Sequence, residues 1–128
     1  MADIAVTNSS ITAYNTITTV TANLATEGTN DTVQKFVITP TKADCKVLVL
    51  ITVANTHGTV TYSAAAGGLW AAVAVTGSVV QNTTKAILFE GGKVKSATGT
   101  IEISFTPASG KDLTNDHAMN VEVIELPL

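Results

Sequence analysis

Residues 44–56 read Asp-Cys-Lys-Val-Leu-Val-Leu-Ile-Thr-Val-Ala-Asn-Thr, and this stretch decides the fold. Its side chains form two alternating sets, Val47, Val49, Ile51 and Val53 on one face and Leu48, Leu50, Thr52 and Ala54 on the other. A surface strand of a lone domain alternates apolar and polar residues, whereas a strand covered on both sides is a continuous apolar run. The chain must therefore cover this strand twice, or a neighbouring subunit must help.

Composition indicates one all-β domain. The chain has 128 residues, of which 45% are hydrophobic and 13% charged, and a domain of this length can bury a single core. Val, Ile and Thr are frequent, and β-branched residues favour pleated strands over helices. Strand and turn signals recur along the whole chain. We therefore predict a single-domain β-sandwich or jelly-roll-like barrel of about eight strands with an extended N-terminal arm.

The body of the domain, residues 33–128, contains the clearest strand patterns. The segments predicted as strands are 33–39, 44–56, 59–64, 69–75, 84–89, a return strand beginning at Val94, 101–105 and 119–126. Turns are predicted at residues 76–78 and 90–93 because glycines follow apolar runs there. The residues expected to cover the second face of the long strand are Ile101, Ile103, Phe105, Val121, Val123 and Trp70. With that cover, 44–56 becomes a central strand.

Residues 1–32 differ from the body because they carry no charge between Asp3 and Glu27. They predict one or two short strands whose register is weakly specified, since neither face is strongly apolar. Such a segment pairs with whatever sheet edge is offered, in its own subunit or in the next. Its apolar residues are therefore candidate interface residues, namely Ile4, Val6, Ile11, Ile17 and Val20.

Three further candidate interface residues lie in the body. In the last strand Glu125 continues the face of Val121 and Val123, which leaves Ile124 and Leu126 on the other face. Either a β-bulge shifts the phase, or these two side chains form an outward apolar pair that contacts another chain. The single tryptophan, Trp70, is a core residue, an anchor at a subunit interface or a sugar-stacking platform.

Charge and cysteine content limit the classes of function that this chain can have. The net charge is −3 and every basic residue is Lys, which argues against binding to nucleic acid, since that requires a clustered basic face. No apolar run reaches the roughly 18 residues of a membrane span, and no basic segment precedes an apolar one at the N-terminus as in a secretory signal. The single cysteine, Cys45, excludes an internal disulfide.

The residues that could carry chemistry do not form a catalytic or ligand-binding motif. His57 and His117 both lie in polar, turn-like sequence. Asp112, Asn115, Asp116 and His117 could coordinate Ca²⁺ or a softer metal ion, but the spacing of a calcium loop is missing and a solvated turn fits better. Residues 91–93, Gly-Gly-Lys, fit a hairpin turn better than a phosphate loop. We expect no enzyme activity, no cofactor and no metal, and a small metal-dependent enzyme is the weakest alternative.

A family resemblance covers residues 33–127 and rests on the pattern of apolar and polar residues in the strands and on the residues at the turns. The segments that carry it are Phe36–Pro40, Lys42–Val49, Val53–Thr56, Thr59–Gly67, Thr98–Ile103 and Val121–Pro127. In these segments the chain resembles the small decoration, or cement, proteins of tailed-bacteriophage capsids. The matching segments hold no catalytic signature.

The resemblance implies a virion protein that is made in the host cytoplasm and binds the outer surface of an assembled head. It further implies a homotrimer that contacts the major capsid protein and holds neighbouring capsomers together. Residues 2–26 do not match the family, and by implication they form an arm to an adjacent subunit or to the shell. Deleting them should then weaken assembly or attachment and leave the body folded. Another phage or bacterial surface module, or a carbohydrate-binding module, remains an alternative.

Overall fold

The computed structural model describes residues 3–41, 46–53, 58–64, 74–90, 99–114 and 119–126. Within these ranges the chain forms ten strands and no helix. They are β1 (Ile4–Ala5), β2 (Asn8–Ser10), β3 (Ala22–Leu24), β4 (Gln34–Ile38), β5 (Lys46–Val53), β6 (Val60–Ala64), β7 (Val75–Val79), β8 (Thr83–Glu90), β9 (Ile101–Thr106) and β10 (Asn120–Glu125). The predicted all-β, sandwich-like fold is confirmed, with two open sheets rather than a barrel.

The strands form two mixed sheets that share one core. Sheet A has the order β1-β4-β9-β6-β7, and sheet B has the order β2-β10-β5-β8, with β3 also paired to β10. Most neighbouring strands are antiparallel, but β1 on β4 and β2 on β10 are parallel. The N-terminal segment therefore adds a short parallel strand to each sheet.

The long strand β5 is central in sheet B, as the sequence predicts. It pairs antiparallel with β10 on one side and with β8 on the other. Its inward side chains, Val47 to Val53 at alternate positions, have no exposed surface. The opposite face differs from the prediction of a second cover, because Leu48, Leu50 and Thr52 remain half-buried.

Apolar side chains from the inward faces of both sheets fill the core. Each inner strand alternates buried and less buried residues, as the two-residue period of a pleated strand requires. In sheet A, Phe36 and Phe105 meet edge to face at 5.2 Å between ring centroids. The remaining large, fully buried apolar side chains are Ile38, Ile51, Ile101, Ile103, Leu113, Met119, Val47 and Val49. Of the residues expected to cover β5, Ile101, Ile103 and Phe105 belong to sheet A and Val121 and Val123 to its own sheet, whereas Trp70 lies outside the described residues.

The turn predicted at residues 76–78 is wrong, because these residues form the middle of β7. Gly77 pairs with Tyr62 of β6, and a Cβ atom at Gly77 would lie 2.7 Å from Cζ of that tyrosine. The glycine therefore makes room for an aromatic ring in a strand and does not reverse the chain. The predicted strand over 69–75 lies mostly outside the described residues, as do the return strand at Val94 and residues 91–93.

The first 32 residues are bound to the body of their own chain. Ile4 and Val6 pack against the core, and Ala25 is part of it. Three short strands form where one or two were predicted. Asn8–Ser10 become β2 although all three side chains are polar, because their backbone pairs with Val123–Glu125.

One buried asparagine, Asn23, connects this segment to sheet B and to the chain that crosses between the sheets. The Asn23 side chain accepts a hydrogen bond from the Thr7 N–H at 2.8 Å. Its amide group donates to the carbonyls of Thr7 and Val121 at 3.2 and 2.9 Å. Asn23 thereby links the crossing between β1 and β2 to β3 and β10. Because the partners are backbone atoms of the β1–β2 connection and of β10, the contact depends on the fold and leaves no periodic signal in the sequence.

Candidate assembly surface

The outer face of sheet B carries an apolar surface formed by β5 and β8. Paired residues of neighbouring strands point to the same face of a sheet. Leu48 pairs with Leu88, and Leu50 pairs with Ala86, and both pairs face away from the core. We call these four residues, Leu48, Leu50, Ala86 and Leu88, the leucine surface. Leu88 keeps 60% of its surface exposed, so the apolar character reaches solvent.

Polar pairs bound the leucine surface along the strand direction. At one end Thr52 and Thr84 lie side by side with their hydroxyl oxygens 3.0 Å apart. At the other end Lys46 pairs with Glu90 in the register. The leucine surface is therefore a neutral, apolar island with a polar rim, which is the general arrangement of a protein–protein contact.

Ile124 points to the outer face of sheet B because β10 pairs with β5 without a bulge. Asn120 to Glu125 pair one to one with Thr52 to Val47, so the alternative of a bulge is wrong at this point. Ile124 pairs with Leu48 and shares its outer face. It is nevertheless 7% exposed, and Ser9, its neighbour in β2, is buried too. The Ser9 hydroxyl accepts a hydrogen bond from the Thr21 N–H, which brings the returning N-terminal segment to this face.

Glu125 is buried on the inward face because it has a polar partner there. Its carboxylate accepts hydrogen bonds from the Thr41 N–H at 2.8 Å and from the Thr41 hydroxyl at 3.1 Å. A buried charge is tolerated when such donors compensate for the lost water. Glu125 therefore interrupts the apolar pattern of β10 because its side chain binds Thr41, which follows β4.

A surface loop, residues 11–21, projects from the edge of sheet B. Its base is fixed by the Ile11 N–H, which donates to the Glu125 carbonyl at 3.0 Å, and by Thr21 on Ser9. We call residues 14–17 the loop tip. Asn15 has a φ of 58°, and the Thr16 hydroxyl bonds the Ala13 carbonyl, so the tip turns tightly. Tyr14 is 86% and Ile17 102% exposed.

The structure places the predicted interface residues in three different environments. Ile4 and Val6 are half-buried against the core, and Ile124 is almost fully buried. Ile11, Val20 and Leu126 are half-buried near the base of the loop or the end of β10. Ile17 is fully exposed. Trp70 lies outside the described residues.

Sequence reasoning missed Leu88 and Tyr14 as surface candidates. The run Ala86-Ile87-Leu88-Phe89 is apolar on both faces, which is the same signal that identified β5. Phe89 is buried and Ile87 packs against the core, so the other two residues must face outward. For Tyr14 no pattern helps, since the exposure of a loop residue depends on the path of the loop.

The outer face of sheet A has a different chemistry. Lys35 lies between Asp3 and Glu102, with Nζ to carboxylate distances of 3.3 and 3.5 Å. The hydrogen bond and charge of Asp3, followed by the charge of Glu102, raise the pKa of Lys35 above its ordinary value. Ser104 of β9 and Thr61 and Ser63 of β6 continue this polar face.

Of the candidate metal ligands, Asp112 lies in the described part of the chain, whereas Asn115, Asp116 and His117 lie outside it. Asp112 accepts hydrogen bonds from the Thr114 N–H and hydroxyl at 2.7 and 2.9 Å, so it stabilises a local turn. No group of three His, Cys, Asp or Glu side chains among the described residues could hold a metal ion. His57, His117, Asp116 and Cys45 lie outside these residues.

The described residues contain no helix of the length and apolarity that crossing a membrane requires. Comparisons of the chain with protein-family models, with curated proteins and with solved structures found no match.

Proposed function

We propose that this protein is a non-enzymatic structural module that decorates the outer surface of a tailed-bacteriophage head. In this role it binds the major capsid protein and stabilises the contacts between capsomers, as a homotrimer. The observation that carries the proposal is the leucine surface, an exposed neutral island on a rigid sheet. In the homotrimer this surface is buried between subunits, and the assembled trimer binds the head tightly because several weak contacts to the capsid add up through multivalency.

The resemblance in residues 33–127 supplies the capsid context for this proposal. The described polar side chains support a structural role as well, because the buried ones among them form hydrogen bonds within the chain. Asn23, Gln34 and Glu125 each fasten a backbone segment through buried hydrogen bonds. These side chains therefore stabilise the fold.

A carbohydrate-binding module is the main competing function, and the aromatic residues argue against it. Such modules stack sugars on several exposed aromatic side chains of one sheet face. Among the described residues, Tyr14 is the exposed aromatic, and it lies on the loop tip. The aromatic side chains on strands are buried, namely Phe36, Tyr62, Phe89 and Phe105.

Binding to heads tests the proposed function directly. Heads that lack the protein, from the phage that encodes it, are mixed with the purified full chain and sedimented. We expect saturable co-sedimentation and a higher temperature of head disruption after binding. A second arm measures retention of the same protein on immobilised polysaccharides. Protein that stays in the supernatant with heads but is retained on a polysaccharide would replace the decoration function by the carbohydrate-binding one.

A further inference from the structure

Two exposed apolar features lie at opposite edges of sheet B. The loop tip projects from the edge formed by β2 and β3, whereas Leu88 lies on β8 at the far side of β10 and β5. Three strand spacings of ~4.8 Å separate these edges, or roughly 14 Å. Within one chain, Tyr14 and Ile17 make almost no packing contact, since they are 86% and 102% exposed. The tip therefore does not cover the leucine surface of its own chain.

The two features match each other chemically. The loop carries no charge, since none occurs between Asp3 and Glu27. The leucine surface consists of Leu and Ala, with Lys46 and Glu90 at one end and Glu122 of β10 beside Leu50. An uncharged tip that docks on the β5–β8 side buries apolar groups against apolar groups and leaves Glu122 at the margin in water, so it avoids the desolvation cost of charged partners.

We propose that the loop tip of one copy docks onto the leucine surface of a second copy of this chain. The contact joins two different patches, so each copy offers a tip at one edge and a surface near the other. Such a head-to-tail contact produces a ring if the rotation closes. The inference rests on the proposed function, in which the closed ring has three members.

The size of the contact explains why a ring is required. A stable interface buries about 800 Å² on each partner, and an aromatic side chain such as Tyr14 contributes about 150–250 Å² of that. One tip on one surface therefore falls short of a stable dimer. In a closed ring every contact is reinforced by the others, because breaking a single contact does not release a subunit. The assembled state should form cooperatively, without an abundant dimer.

The first experiment measures the molar mass of the full chain by size-exclusion chromatography with light scattering at micromolar concentration. Ile17→Asn changes the tip, and Leu88→Thr changes the leucine surface with a residue that suits a strand. Val80→Thr is the matched control, since Val80 is 55% exposed and lies outside both features. We expect three chain masses for the wild type and the control, and one for both variants. Circular dichroism verifies that each variant is folded.

Ala86→Lys provides a second change on the leucine surface. Ala86 is exposed, so the lysine does not disturb the core, but it places a charge in the proposed contact. We expect the monomeric mass here as well. A wild-type chain that is monomeric, or a trimer that persists in Ile17→Asn, would overturn the inference.

Mixing the variants distinguishes tip-to-surface docking from face-to-face pairing. Ile17→Asn retains an intact leucine surface, and Leu88→Thr retains an intact tip, so together they can form one contact but no ring. A mixture of cysteine variants tests the contact directly. Ile17→Cys mixed with Leu88→Cys should yield a disulfide-linked heterodimer, because the substituted tip of one variant meets the substituted surface of the other. Val80→Cys mixed with Leu88→Cys should not. The wild-type chain, which contains Cys45, measures the background. Equal cross-linking in both mixtures would contradict the proposed contact.

Failure of this inference and failure of the proposed function have different signatures. If heads bind the wild-type chain but the tip variant stays trimeric, the docking contact is wrong and the decoration function stands. If the variants become monomeric as expected but heads bind no protein, the contact stands and the decoration function falls.

Discussion

The outer faces of the two sheets share one fold and differ in chemistry. On sheet A, Lys35 is held between Asp3 and Glu102, Ser104 lies opposite Lys35 in the register, and the half-buried Val37 pairs with Glu102. On sheet B, the corresponding central position is occupied by Leu48 and Leu50, and Leu88 is exposed beside them. Both sheets present alternate residues to the same core, so the packing of the sandwich does not require the outer faces to differ.

This difference indicates that the outer face of sheet A suits a stable single chain, whereas the outer face of sheet B suits assembly. The polar face of sheet A is what a strand in contact with water is expected to carry. The leucine surface of sheet B gains little within the single chain, since its four residues remain half-buried or exposed. The cost of such a surface is a tendency to associate, which becomes useful when association is the function. The predictions below test this separation, beginning with the largest expected effect.

Deletion of residues 2–26 should abolish cooperative folding, and this replaces the expectation of an intact body. The deletion removes a strand from sheet A and two from sheet B, together with the buried Asn23 and Ala25. It also leaves the edges of β4 and β10 without their partners. We expect loss of the thermal unfolding transition, measured by circular dichroism. A truncated chain that still unfolds cooperatively would show that the segment is an accessory arm.

Shortening the loop is the matched control for this deletion. Replacement of residues 12–17 by two glycines keeps β2 and β3 and removes the tip. Thr18 lies close to Ser10, with a hydroxyl to carbonyl distance of 3.5 Å, so a short connection can span the gap. The shortened chain should fold and should be monomeric, because it has lost the proposed docking element.

Ile51→Ala and Leu50→Ala compare the two faces of one strand. Ile51 is fully buried between the sheets, and removing it leaves a cavity that costs about 2–5 kcal/mol. Leu50 is half-buried on the outer face, where truncation should cost less than about 1 kcal/mol. Urea unfolding measures both free energies. Similar losses for the two variants would mean that the outer face also contributes to the core.

Asn23→Ala tests the contact that joins the β1–β2 connection to β3 and β10. The substitution leaves the Thr7 N–H and the Val121 carbonyl without their side-chain partner. A polar group that loses its partner away from water costs about 1–3 kcal/mol, so we expect the two groups together to cost about 2–6 kcal/mol. Asn30→Ala, at an exposed turn position, should change stability by less than about 0.5 kcal/mol. Equal values for the two variants would exclude a stabilising role for Asn23.

The strands of the body could be predicted because their alternation reports burial directly. Residues 101–105 were expected from the spacing of Ile101, Ile103 and Phe105, and β9 spans Ile101–Thr106. The two apolar faces of residues 46–53 likewise predicted a central strand, and β5 is one. In these strands the side chains that form the core also define the pattern.

The N-terminal strands and the exposed surface could not be predicted in this way. β2 consists of Asn8, Ser9 and Ser10, and it exists because the backbone of β10 offers a partner. Gly77 resembled a turn residue because the sequence does not show that Tyr62 lies opposite. The run around Leu88 had two apolar faces, but one sequence does not say which of them the fold leaves exposed.

Lys35→Met should have the smallest effect and tests the polar face of sheet A. The Lys35 pKa is raised, so its stabilising contribution is complete below the ordinary lysine pKa of about 10.4 and is lost as the pH rises through the higher folded value. The melting temperature of the variant should therefore lie slightly below that of the wild type at neutral pH, and the two should converge above pH ~10.4 or in high salt. The molar mass should stay that of the wild type, because one methionine among Ser, Thr and Glu side chains does not recreate the leucine surface. Association of Lys35→Met into larger species would indicate that any apolar side chain on an outer face promotes assembly, and the contrast between the two sheets would lose its meaning.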